Sequence, residues 1–371
     1  MEVTLAAVAA AIVANPVLGL ILLLCLGATI VNGATDAPNA IATVVGTKAM
    51  RPTPAIIMAA VCNFIGLVVI TAVSTAVAST IFGMVDFGGD NHAALVALAA
   101  AMVAIIVWGV VAWYFGIPTS QSHSLIAGIT GAAIALQGGL GGINGDQWIK
   151  VIYGLVISTC LGFGTGWGFT RLIKLLCQNM NRGKTNKFFK WAQIISGAGV
   201  AILHGAQDGQ KFLSLTMLGV MLGVYGTSSM DGFPLWMVVL VSLVMSLGTA
   251  VGGRKIIKSV GMNMVKMEQY QGFAACLSAC FCIGLATFTG MPVSTTHTKT
   301  TAIMGVGAEK RLRAVKWNLA GSMVLTWVLT FPGCGLLAYI FTHLFLLIMY
   351  TSASPARSHP YRNPPLPIER R

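Results

Sequence analysis

Apolar positions in this chain come in long uninterrupted blocks, not in the alternating or one-faced patterns of soluble elements. The blocks cover about residues 4–31, 53–82, 93–115, 117–137, 147–170, 191–225, 234–251, 269–289, 291–307 and 317–350. Most reach the roughly 18 to 20 residues that cross a bilayer as a helix. A helix satisfies its own backbone hydrogen bonds in lipid, and the ten-residue alternating strands of a membrane barrel do not occur here. The pattern predicts an all-α polytopic membrane protein of about 10 to 12 transmembrane segments.

Composition strengthens that reading. The 371 residues are 56% hydrophobic and 9% charged, with a mean hydropathy of +0.81, against about 25% charge in ordinary soluble domains. A core of this size cannot take up so much apolar surface without a lipid bilayer as partner, so a multi-pass protein of the cytoplasmic membrane is expected. The N-terminus lacks a basic region ahead of its first apolar block, so no cleaved leader is expected. The cysteines at 25, 62, 160, 177, 276, 280, 282 and 334 fall in or beside apolar blocks without C-x-x-C pairs, and read as small core hydrophobes.

The formal charge of +13 changes less than it promises. The bases are not interleaved with stacking aromatics, so no nucleic-acid partner is expected. They cluster between apolar blocks: Arg171, Lys174, Arg182, Lys184, Lys187 and Lys190; Arg254, Lys255, Lys258 and Lys266; Lys310, Arg311, Arg313 and Lys316. Such clusters read as cytoplasmic loops.

Two polar motifs interrupt the apolar pattern, and each occurs twice. Asn32-Gly33-Ala34-Thr35-Asp36-Ala37-Pro38-Asn39 is echoed by His204-Gly205-Ala206-Gln207-Asp208-Gly209-Gln210-Lys211, with the aspartates 172 positions apart. Gly116-Ile117-Pro118-Thr119-Ser120-Gln121-Ser122-His123-Ser124 is echoed by Gly290-Met291-Pro292-Val293-Ser294-Thr295-Thr296-His297-Thr298, with the histidines 174 positions apart. Two motifs repeated in the same order at nearly one interval indicate an internal duplication. The expected organisation is a first repeat at 1–175, a basic cytoplasmic linker at 176–190, a second repeat at 191–350 and a Pro/Arg-rich disordered tail at 351–371. The loop at 83–92 holds Asp86 and Asp90 and no base, whereas its counterpart at 254–266 holds four bases and no acid. Matching loops on opposite sides imply an odd number of crossings per half, counted here as five, and an inverted-topology repeat with both termini outside.

Asp36 and Asp208 are the acids that fall inside apolar sequence, where each costs about 2.5–3.5 kcal/mol to insert. A helix cap would explain one such residue; their duplication favours ion binding. Gly33 and Pro38 around Asp36, and Gly205 and Gly209 around Asp208, suggest broken or re-entrant helices at both sites. Asn32, Asp36, Asn39, Gln207 and Asp208 are the candidate cation or proton site, with Na+ at Asp36, Asn39 and Asp208 as the one metal ion to consider. No other metal and no organic cofactor is expected.

Thr119, Ser120, Ser122, Ser294, Thr295 and Thr296 can donate hydrogen bonds to a tetrahedral oxyanion held at helix N-termini, although bonding to their own helix carbonyls explains such residues too. His123 and His297 read equally as proton carriers or as structural hydrogen bonds between helices. Lys211 and Lys299 need a partner, an aspartate or a bound anion, unless they snorkel from helix ends. Lys211 is assigned to the anion. No nucleotide-binding loop or nucleophile–base pair is present, so the chain is not read as an enzyme.

At these residues the chain resembles the inorganic phosphate transporter (PiT) family in its bacterial form. The resemblance rests on Gly33, Asp36, Asn39 and Ala40, on Gly205 and Asp208, and on the paired elements Pro118, Ser120, His123 and Pro292, Ser294, His297. It implies symport of inorganic phosphate with H+ or Na+, the paired motifs forming a central site between moving sets of helices. Thr35 and Gln207 stand where the sodium-type pattern has asparagine, and Lys211 where the second copy would have asparagine. A fixed ammonium can replace a bound cation, and the form resembles members regarded as proton-coupled, so H+ is favoured. Alternatives are a sulfate or other oxyanion permease of the same fold and an uncoupled anion channel or sensor. A homo-oligomer is compatible with the sequence.

Overall fold

The computed structural model describes residues 3–88, 90–115, 119–227, 232–252, 257 and 265–352. Glu2, Pro118, Asp231, the bases Arg254, Lys255 and Lys258 and the tail beyond Ser352 lie outside the described residues. Among the described residues the regular structure is helix, joined by short turns and loops, with one isolated bridge between Val85 and Ile143.

In chain order the helices are α1 (Leu5–Ala14), α2 (Pro16–Thr35), α3 (Ala37–Gly46), α4 (Pro52–Val73), α5 (Ala76–Phe82), α6 (Asn91–Phe115), α7 (Gln121–Gln137), α8 (Gly145–Cys177), α9 (Arg182–Val220), α10 (Leu235–Gly252), α11 (Gln269–Phe288), α12 (Thr295–Lys310) and α13 (Trp317–Ser352). Two apolar blocks are subdivided. Pro16 cannot donate a helix bond and Asn15 caps the next helix through Val17, so the block at 4–31 splits into α1 and α2. The block at 53–82 breaks at Ser74–Thr75, between α4 and α5.

The stretch from α2 through α3, with α4, α6, α8, α10, α11 and α13, makes seven helices long and apolar enough to cross a membrane. The Asp36 motif lies on the α2–α3 stretch, which is among them, whereas the helices that carry the other three motif copies, α7 with 17 residues, α12 with 16 and the 39-residue α9, are not. The basic 176–190 stretch is mostly helix: only residues 178–181 separate α8 from α9. Of the cysteines, 25, 276, 282 and 334 are buried, whereas Cys160 is exposed on α8 and the other three are intermediate. The core reading therefore holds for half of them.

Packing pairs elements across the chain. α2 crosses α10 where a Cβ on Gly33 would meet the Met245 backbone and one on Gly248 the Ile30 backbone. α9 crosses α4 in the same manner, Gly205 against the Asn63 backbone and Gly66 against that of Ile202. Small residues let helix backbones approach this closely in a membrane. Further along, α7 packs on α13 while α12 packs on α8. The late helices of each part thus enclose the motif helix of the other.

Candidate functional site

Asp36 stands at the junction of α2 and α3 because Pro38, two residues on, has no N–H to give to the carbonyl of Ala34 and its ring crowds that carbonyl. Its backbone still links both helices, donating to Asn32 O at 2.9 Å and accepting from Asn39 N at 2.9 Å. Asn32, Asp36 and Asn39 are thereby stacked about one turn apart, all at most 2% exposed.

Asp208 differs. Gln210 stands in the register of Pro38, and α9 runs unbroken from Arg182 to Val220, so the expected interruption at the second aspartate does not occur. Its glycines serve approach instead: Gly205 admits the α4 backbone and Gly209 the Leu67 side chain. Gln210 fastens the α4–α5 break, donating to Ser74 O at 2.6 Å and accepting from Ala78 N at 3.3 Å.

α7 and α12 begin at equivalent places. Ser120 Oγ accepts from His123 N at 3.3 Å, and Ser294 Oγ from His297 N at 3.2 Å. Both serines are N-caps, which explains a serine at each position without any ligand. The first turns of both helices lie against the aspartates. Gln121 N donates to Asp36 Oδ2 at 3.1 Å, setting that carboxylate at the positive end of α7. Thr295 donates to Asp208 Oδ2 at 3.1 Å and Ser122 to Asp208 Oδ1 at 3.1 Å.

Connections then cross between the two parts of the chain. Asn39 Nδ2 donates to Thr296 Oγ1 at 2.8 Å. Lys211 Nζ donates to Ser122 Oγ at 2.6 Å, to Asp208 Oδ1 at 2.7 Å and to Val293 O at 2.6 Å. Since Ser122 and Thr296 are themselves 174 positions apart, each motif residue reaches the hydroxyl of the opposite part. His204 Nε2 lies 3.2 Å from Asp208 Oδ2, and its Nδ1 lies 3.0 Å from Asn63 Oδ1, whose amide donates to Thr249 Oγ1.

The structure redistributes several expected roles. Lys211 does not keep a free donor for an anion, because all three bonds go to the protein. Ser122 and Thr295 commit their hydroxyl protons to Asp208. Thr296 accepts from Asn39 and is a hydrogen-bond partner of the Asp36 carboxyl, and Thr119 is buried beside the start of α7. Gln207, next to Asp208 on α9, donates to Met291 O at 3.1 Å, steadying the chain before α12. Lys299 neither meets an aspartate nor snorkels: it is 1% exposed and donates to Cys276 Sγ at 3.0 Å. His123 and His297 pack against each other and against aromatic rings. Their rings meet edge-on at 4.2 Å, His297 stacks on Trp327 at 3.7 Å and His123 packs on Phe331.

The chain matches the PHO4 phosphate transporter family over residues 32–338, a stretch that begins at the first site asparagine and takes in both motif pairs. It belongs to that family. It is 38% identical over 84% of its length to a probable low-affinity inorganic phosphate transporter of Bacillus subtilis (strain 168), covering 92% of that protein. A protein of the same description in Rhizobium meliloti (strain 1021) is 34% identical over 83% of this chain and 90% of the relative. Among solved structures, one titled "The sodium-dependent phosphate transporter" matches with a TM-score of 0.81 at 22% identity, over 90% of this chain and all of the other. That likeness concerns the fold. The chain is thus a multi-pass cell-membrane protein of a transporter family, not an enzyme.

Several groups around the transporter's site escape sequence reasoning. Gln121 lies inside the second motif, but its backbone amide, not its side chain, reaches Asp36. Asn63 and Thr249 sit in apolar helices with no motif around them. The Val293 carbonyl that holds Lys211 has no sequence signal at all, since every residue carries one.

Proposed function

We propose that the protein carries inorganic phosphate across the cytoplasmic membrane in symport with a cation, H+ before Na+, by alternating access between two inverted halves. The observation that carries the reading is the meeting of two buried carboxylates, Asp36 and Asp208, at 1% and 0% exposure, with the hydroxyl-bearing first turns of α7 and α12. Carboxylates supply a cation or proton site, and helix N-termini with serine and threonine hydroxyls supply the donors a tetrahedral oxyanion needs. Thr119, Ser120 and Ser294 are the hydroxyls with capacity to serve it.

The names of the relatives support phosphate as the substrate. The element order supports the two-half reading: α2–α3, α4, α6, α7 and α8 are followed by α9, α10, α11, α12 and α13 with exchanged packing partners. The first-half cluster favours a proton or small cation at Asp36, whose Oδ1 is buried without a hydrogen-bond partner, as are Asn39 Oδ1 and Asn32 Oδ1. The site's side chains are closed off from solvent, so one set of helices must move against the other to admit phosphate, as alternating access requires.

The test is uptake of labelled phosphate into proteoliposomes under imposed proton or sodium gradients. Concentrative uptake is expected with an inward proton gradient, and Asp36→Asn abolishes it. Uptake that only dissipates a phosphate gradient would establish a channel, and preference for sulfate in competition would reassign the substrate.

A further inference from the structure

We propose that the Lys211 ammonium is the permanent, covalently attached cation of the second half-site, so that this half takes no mobile ion and cation coupling resides in the first half alone. The inference rests on reading Asp36 and Asp208 as cation-binding carboxylates, and it follows from counting donors. Ser122 has one hydroxyl hydrogen, which it gives to Asp208 Oδ1 at 3.1 Å. Its contact with Lys211 Nζ at 2.6 Å is therefore donated by the lysine. Asp208 Oδ1 at 2.7 Å and the Val293 carbonyl at 2.6 Å can only accept from it. Three donated bonds require three N–H groups, which only the charged ammonium has.

Its three partners are a carboxylate, a hydroxyl and a backbone carbonyl. This is the all-oxygen kind of set that hard cations take, here filled from within the chain.

The first half shows the other solution. At the same sequence offsets Lys211 becomes Asn39, Asp208 becomes Asp36 and Ser122 becomes Thr296. Asn39 reaches Thr296 as Lys211 reaches Ser122, but an amide brings no charge. Asp36 Oδ1 and Asn39 Oδ1 are left buried without a donor, whereas Asp208 has Ser122 and Lys211 on one oxygen and Thr295 on the other, with His204 3.2 Å away. One ammonium against two carboxylates leaves a single negative charge, on Asp36, for a mobile cation to balance.

The proposal predicts that Lys211→Asn rebuilds the first-half arrangement at Asp208 and opens a site for a mobile cation, for which sodium is the probe. Purified wild type, Lys211→Asn and Lys211→Asn/Asp208→Asn are to be melted in detergent with NaCl replaced stepwise by choline chloride at constant ionic strength. Lys211→Asn is expected to gain a saturable sodium-dependent rise in Tm, about 2–4 °C above any wild-type response, and the double variant to lose that gain. Lys211→Gln, whose longer amide reaches further toward Ser122, is a second variant with the same expectation. If neither variant gains sodium-dependent stability, whether it is well folded or recovered poorly even in sodium, the assignment is wrong. A sodium gain in Lys211→Asn, with wild type that moves no phosphate, would uphold Lys211 as the built-in cation of the second half-site while overturning the proposed symport.

Discussion

The two aspartates occupy matching places in the chain and opposite electrostatic situations. Asp36 sits at a proline-made joint, held by the Gln121 backbone amide and the Thr296 hydroxyl, with its Oδ1 unpartnered. Asp208 sits in an unbroken helix, with both oxygens hydrogen-bonded and a lysine in direct contact. A carboxylate in low dielectric needs a counter-charge, and the two halves differ in whether that charge is built in or brought from outside. The consequence is a division of labour: the second half is an internally neutralised frame, the first an unfinished site.

The largest expected effect breaks the frame. Asp208→Asn leaves the Lys211 ammonium buried against neutral groups and should destabilise the protein by about 3–5 kcal/mol in thermal unfolding, whereas Asp36→Asn, which keeps an acceptor for Gln121 N, should cost less than about 1 kcal/mol while abolishing uptake. Combining Asp208→Asn with Lys211→Met should recover much of the loss, since both charges then leave together. Equal destabilisation by the two asparagine variants would contradict the comparison.

Where the halves are built alike, they should respond alike. Gly33→Ala forces α2 from α10, and Gly205→Ala forces α9 from α4; each adds a Cβ against backbone that cannot yield, at about 1–3 kcal/mol. A wide gap between these two Tm changes would mean that one crossing is far softer than the other. A smaller contrast tests the exchanged bonds: Asn39→Ala removes one hydrogen bond to Thr296, about 1 kcal/mol, yet should depress uptake strongly because the amide oxygen borders the unfinished site. Smallest are the caps, Ser120→Ala and Ser294→Ala, each about 1 kcal/mol and closely matched. A loss of phosphate binding beyond that shared cost would add substrate contact to their capping role.

Much of the architecture was legible because lipid makes sequence blunt. Uninterrupted apolar blocks admit helix and little else, and the two aspartates stand out against them. The proline at 38 announced a joint correctly. The glycines at 205 and 209 misled, because glycine is compatible both with a break and with close helix contact, and only the position of α4 shows which applies. Lys211 misleads for a similar reason: a lysine near an expected phosphate site invites pairing with the anion, whereas its three acceptors belong to the protein.

By itself, the sequence determined the membrane environment, the helical class, the repeated motifs and the family, all of which depend on residue type and interval along the chain. The tertiary structure decided which atoms complete each half-site. It brought Thr296 to Asn39, Ser122 and the Val293 carbonyl to Lys211, and the Gln121 amide to Asp36. Those partners lie 82 to 257 positions apart, and two of them act through backbone groups of the kind nearly every residue possesses. Only the crossing of the helices selects them.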